Sequence, residues 1–306
     1  PATPGATISA NTTLYAKWAE NTYNVTINSA TNGSVSVNKT EGIKANETVT
    51  LTISPNANYE LKSLVVKDAS NKDVTVTNNT FSMPSSNVTI SATFAQKSPT
   101  LVLTSGSASQ TVNVNAAIST IKYTASGSAA SIKVDGLPNG VTATTSGLVA
   151  TISGKPSEIG TFNFSVTATN NESKTTVLSG KIVVNAVAPV ITKPASTTIS
   201  ATQGVAITPI TFTSDVAATF NVTGLPAGLS ATTATDGKSV TISGTPTGYG
   251  SSNFTVSATA YGKTSSVSGS VTVAQVLPTL DLTSGSANQT VNVNAAISTI
   301  KYTASG

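Results

Sequence analysis

At 306 residues the chain is long enough for two or three modules of ordinary size, since domains cluster at about 100 to 150 residues. It contains no His and no Cys, which excludes Ser-His-Asp triads, Cys-His dyads, imidazole zinc sites, thiolate clusters and disulfides, and leaves the cores to hold the modules together. The net charge of +4 comes from 16 basic residues, all lysine and spread singly; with no arginine fork for phosphates and no basic run interleaved with aromatics, it argues against a nucleic-acid partner.

Only 9% of residues are charged and 5% aromatic, and Thr, Ser, Asn, Val and Ala fill most of the rest. This is the palette of half-buried strands. No stretch approaches the roughly 20 consecutive apolar residues of a membrane span, so no membrane insertion is expected in this region.

In chain order, residues 1–20 close on Asn11-Thr12-Thr13-Leu14-Tyr15-Ala16-Lys17-Trp18. They read as the tail of a module without its body, with Trp18 solvated. Tyr23, Val25 and Ile27 then alternate with polar residues, Asn32-Gly33 gives a tight-turn signal, and Val35 and Val37 resume the alternation, which predicts a β-hairpin. Further strands are predicted at 48–53, 61–67, 74–77 and 88–94, separated by turns such as Ser54-Pro55-Asn56 and Met83-Pro84-Ser85. No segment shows a sustained helical period with caps, so helix should be minor.

Self-comparison exposes the rest of the organisation. Residues 99–127 and 278–306 differ at only two positions, Val102 against Asp281 and Ser109 against Asn288, so 27 of 29 match. Within this long repeat a weaker one appears: VDGLPNGVTATT at 134–145 parallels VTGLPAGLSATT at 222–233, ISGKP at 152–156 parallels ISGTP at 242–246, and FSVTAT at 164–169 parallels FTVSAT at 254–259. The spacing of about 90 residues is that of an immunoglobulin-like sandwich. Alternation of Ile121, Tyr123 and Ala125, of Phe162, Phe164, Val166 and Ala168, and of Val240 and Ile242 with polar neighbours marks strands over a core. Gly136-Leu137-Pro138-Asn139-Gly140 reads as a structural corner, with Leu137 able to plug the end of the sandwich.

The expected architecture is all-β: a remnant at 1–20, a smaller β-rich module at 21–97, two β-sandwiches at 98–187 and 188–277, and the opening strands of a further sandwich at 278–306, which two strands should hold only loosely. The linkers 185–189 and 274–278 are short, end in Pro189 and Pro278, and should be stiff.

Residues 21–96 resemble the divergent internalin B-repeat family through Asn32-Gly33, the V-T-L-T-x-x-P stretch at 49–55, Tyr59-Glu60-Leu61, the F-x-M-P stretch at 81–84 and the V-T-I-x-A-x-F ending at 88–94. Residues 7–18 resemble the tail of a Listeria-Bacteroides repeat, which closes on T-L-Y-A-K-W. Residues 99–277 resemble tandem immunoglobulin-like domains of bacterial surface proteins, which carry G-L-P-x-G-L, I-S-G-T-P and an F-x-V-x-A-T strand. The second module matches at 224–229, 242–246 and 254–259, while the first departs at Val141 for Leu and Lys155 for Thr. The resemblance implies an extracellular setting, secreted or on a bacterial cell surface, and modules that space or present other domains. It implies no catalytic residue and no cofactor.

The 12 acidic residues are scattered, which argues against a glycosidase carboxylate pair, and neither a D-x-D-x-D-G loop nor a cadherin-type acidic linker occurs. Asp135, Asp215 and Asp236 read as turn caps. The alternative to a spacer is a carbohydrate-binding accessory module of a secreted polysaccharide-acting protein, which needs an exposed aromatic platform. Phe162, Phe164, Phe212, Phe220 and Phe254 read as core, leaving Tyr249 and Tyr261 as the candidate ligand residues. The sequons at Asn24, Asn46, Asn163 and Asn221 are those a chain rich in Asn and Thr acquires by chance, and nothing local marks a Lys-Asn isopeptide crosslink. The expectation is therefore a non-catalytic stalk whose partners are neighbouring modules of its own chain and, beyond them, a cell-wall or host-surface protein or glycan.

Overall fold

The computed structural model describes residues 16–305, and every regular element within them is a β-strand. Contacts group these residues into two compact units, one holding residues up to 110, 117–154 and 162–182, the other 111–116, 155–161 and the chain from 183 onward.

The N-terminal module is built from β1 (Thr22–Tyr23), β2 (Val25–Ile27), β3 (Gly33–Val37), β4 (Ile43–Lys44), β5 (Thr48–Pro55), β6 (Tyr59–Asp68), β7 (Thr80–Ser82) and β8 (Val88–Gln96). Two three-stranded sheets, in the orders β2-β8-β6 and β3-β5-β7, carry a core of Val25, Ile43, Val49, Leu51, Val66, Phe81, Met83, Val88 and Ile90. The expected hairpin at 23–37 is not formed. β2 runs parallel to β8, with Val25 opposite Val88, and β3 runs antiparallel to β5, with Val35 opposite Ile53. Asn32 does make a left-handed turn at φ 66, but the turn carries the chain from one sheet to the other. Gly33 is required there for a different reason: a Cβ would lie 2.6 Å from the Phe94 ring. Residues 74–77 also form no strand, only single bridges Lys67–Asp73 and Thr77–Thr80, because Asp68 accepts from the Ser70 and Lys72 amides and curls the chain. Val74 and Val76 still pack on the core.

The first sandwich comprises β9 (Thr100–Ser105), β10 (Ser109–Asn113), β11 (Ile121–Ser126), β12 (Ala129–Asp135), β13 (Val141–Ser146), β14 (Val149–Gly154), β15 (Gly160–Asn170) and β16 (Thr175–Asn185), in sheets ordered β13-β14-β11-β9 and β10-β16-β15-β12. The second comprises β17 (Ile191–Thr192), β18 (Thr198–Thr202), β19 (Ile210–Ser214), β20 (Thr219–Thr223), β21 (Leu229–Thr233), β22 (Ser239–Gly244), β23 (Gly250–Ala260) and β24 (Lys263–Ala274), in sheets β17-β19-β22-β21 and β18-β24-β23-β20. Each F-x-V-x-A strand buries its alternate residues, Phe164, Val166 and Ala168 in one and Phe254, Val256 and Ala258 in the other. Phe164 meets Tyr123 edge to face at 6.5 Å, and Phe254 meets Phe212 at 6.2 Å. The Tyr123 hydroxyl is buried without a hydrogen-bond partner, and burial raises its pKa.

The recurrent motifs are mutually dependent. The G-L-P-x-G corner takes the chain from β12 to β13, and from β20 to β21, across to the opposite sheet. There the I-S-G glycine faces the corner's last glycine: a Cβ on Gly154 would lie 2.3 Å from the Gly140 carbonyl, and one on Gly244 would lie 2.3 Å from that of Gly228. At the corner itself Pro138 is buried, while Leu137, the expected plug, is only half-buried.

The last described segment is an antiparallel pair, β25 (Thr279–Ser284) and β26 (Lys301–Ser305), exposed along its whole length.

Candidate functional site

The two candidate ligand residues are not brought together. Tyr249 is 63% exposed just before β23, and Tyr261 sits in the turn just after it at φ 52. The 11 residues of β23, at about 3.3 Å each, separate them by roughly 35 Å, too far for one sugar to stack on both. Tyr261 does line a cleft of about 420 Å³ with Asn113, Asn115, Pro189 and Asp215, where it is the one aromatic side chain. Asp215 is occupied there in holding the chain, its Oδ1 accepting from the Val190 amide at 2.7 Å.

The other acids singled out above also have local duties. Asp236 Oδ1 accepts from the Lys238 amide at 2.9 Å, and Asp135 pairs with Lys133 at 2.7 Å. Among the described residues no three of His, Cys, Asp and Glu gather as a metal would need. No helix in them is long and apolar enough to cross a membrane.

A polar cluster that the sequence reading did not single out lies where the N-terminal module passes into the first sandwich. The Lys97 carbonyl accepts from Ser128 Oγ at 2.6 Å and from Asn170 Nδ2 at 2.9 Å. Asn170 Oδ1 in turn accepts from the Glu172 and Lys174 amides at 3.0 and 2.8 Å, which fixes the amide. The Gln96 amide donates to Glu172 Oε1 at 3.0 Å, while Lys174 Nζ reaches both the Gln96 carbonyl and Glu60, the latter at 2.8 Å. That hydrogen bond, together with the Lys174 charge, holds the Glu60 carboxyl below its ordinary pKa. Just beyond, the Pro99 carbonyl accepts from Thr176 Oγ1 at 2.5 Å. A usable sequence signal exists for this cluster, in that Ser128 and Asn170 stand where the second sandwich has Ala217 and Ala260. It becomes meaningful only once the fold places both side chains on the incoming chain.

Residues 23–98 match the family model of the divergent InlB B-repeat domain. No curated protein matches the chain. Among solved structures it is similar to the titin domains z1z2 in complex with telethonin, at 13% identity over 60% of this chain and all of that one, with a TM-score of 0.35. A three-immunoglobulin-domain titin fragment aligns at 12% identity over 82% of this chain and 96% of that one, with a TM-score of 0.33. The endo-fucoidan hydrolase MfFcnA4 of glycoside hydrolase family 107 aligns at 15% identity over 81% of this chain but only 38% of the enzyme, also with a TM-score of 0.33. Residues 23–98 are thus a module of the divergent InlB B-repeat kind, and two four-on-four-stranded β-sandwiches follow it.

Proposed function

We propose that this chain is a non-catalytic spacer in a secreted or surface-attached bacterial protein, a stalk that carries other domains and contacts chiefly its own neighbouring modules. The observation that supports this best is repetition itself: a B-repeat followed by two sandwiches, with the opening of the first restated at 27 of 29 positions in 278–306. Repetition extends a chain simply, because a domain with its own core can be added without altering the others. In this reading 98–187 and 188–277 are separately folding sandwiches, and the partners outside the chain are a cell-wall or host-surface protein or glycan met by the domains it presents.

The test is a glycan array and a pull-down on bacterial wall and plant polysaccharides with residues 21–277. No saturable binding is expected. Saturable binding abolished by Tyr249→Ala or Tyr261→Ala would replace the spacer with a carbohydrate-binding module. Each sandwich expressed alone should unfold cooperatively.

A further inference from the structure

We infer that Ser128 and Asn170 form a clamp that joins the B-repeat to the first sandwich as one cooperative unit. This concerns how two modules are coupled and holds whether or not the chain serves as a spacer. Lys97 is the residue after β8, so its carbonyl belongs to the B-repeat side, whereas both donors belong to the sandwich. Ser128 is 9% and Asn170 4% exposed. Were the B-repeat to swing away with Lys97, both donors would exchange a buried, satisfied hydrogen bond for one to water, and the burial that strengthens those bonds would be lost with it. The flanking bonds point the same way, since Gln96 donates to Glu172 and accepts from Lys174, tying the end of β8 to the turn between β15 and β16. Correspondingly, the B-repeat and most of the first sandwich fall in one compact unit.

The second sandwich supplies an internal control. Asn170 stands six residues after Phe164, and Ala260 six after Phe254; Ser128 stands five after Tyr123, and Ala217 five after Phe212. Both donors are therefore alanine in a sandwich with the same core, so they are not needed for the fold. They are what the first sandwich adds where the B-repeat adjoins it.

The experiment follows urea unfolding of the full chain by hydrogen exchange, reading amides of β8 against those of β15. In the unaltered protein the two sets should lose protection at one midpoint. In the Ser128→Ala/Asn170→Ala double variant the B-repeat should open first, its midpoint falling about 1 M urea below that of β15. A Gly-Gly insertion between Lys97 and Ser98, which leaves every core residue in place, should separate them likewise. Two midpoints already in the unaltered chain, or a single midpoint retained in both variants, would overturn the clamp.

Discussion

On β11, Ile121, Tyr123 and Ala125 are 0, 1 and 3% exposed, whereas their counterparts, Ile300 just before β26 and Tyr302 and Ala304 on it, all face solvent, Tyr302 at 51%. Leu101 and Val114 repeat the contrast, buried at 7 and 8% while Leu280 and Val293 are 65 and 92% exposed. The local structure is nevertheless the same in both segments. Gln110 Nε2 donates to the Ser119 carbonyl at 2.8 Å and Gln289 Nε2 to that of Ser298 at 2.7 Å, Thr104 meets Thr124 as Thr283 meets Thr303, and Gly106 and Gly285 both take a positive φ, 80 and 84. Among the described residues no further strand covers the second copy. β11 lies beside β14 and under the sheet containing β15 and β16, and β10 is a strand because β16 pairs with it, while its counterpart at 288–292 is not. Turns are written locally in this sequence, whereas burial, and with it stability, is supplied by strands further along the chain.

The largest effect should come from supplying that cover. Fusing a second copy of residues 128–187 behind Gly306 should raise amide protection across 279–305 from near that of an open hairpin to that of β9 and β11, read by hydrogen exchange. Next, Ile121→Ala should cost the first sandwich about 2 to 5 kcal/mol in urea unfolding, while Ile300→Ala should leave every midpoint unchanged. Equal effects would mean that the second copy is covered after all. A smaller contrast, of opposite sign, concerns the tyrosines. Tyr123→Phe removes a buried hydroxyl with no partner and matches Phe212, so it should stabilise by about 1 kcal/mol, whereas Tyr302→Phe should be neutral in the same thermal scan.

The smallest contrast lies in what precedes each copy, the gripped Lys97 in one case and the 42% exposed Val276 in the other. Because Lys174 holds the Glu60 carboxyl below its ordinary pKa, the contribution of that pair is complete above the ordinary carboxylate range and is lost as pH falls through the lowered value. The B-repeat should therefore lose a small part of its thermal stability on acidification below about pH 4.5, and Lys174→Gln should remove that part. Stability that instead rises on acidification, with the lysine present, would contradict the pairing.

Much of the fold was legible because alternation and glycine both have local causes. Phe164, Val166 and Ala168 point inward as their spacing requires, and the G-L-P-x-G corner was readable from its glycines, whereas the tight fit of the I-S-G glycine against it emerges only from the fold. Pairing was less legible. Asn32 turns the chain as read, yet β2 finds β8 rather than β3, because the turn signal fixes the direction of the chain and not the sheet it enters. The polar joint escaped for a related reason: Ser128 and Asn170 are 42 residues apart and resemble any other surface Ser and Asn until the fold brings both to the Lys97 carbonyl. Tyr249 and Tyr261 show the converse, near neighbours in sequence that an intervening strand holds far apart.

The most direct test compares the two near-identical segments within one molecule. Hydrogen exchange on the unaltered, monodisperse chain should find the amides of β9 and β11 protected to the level of global unfolding and those of β25 and β26 exchanging orders of magnitude faster. Equal protection of the two segments in a monomer would show that sequence alone, without covering strands, stabilises this hairpin, and would contradict the account.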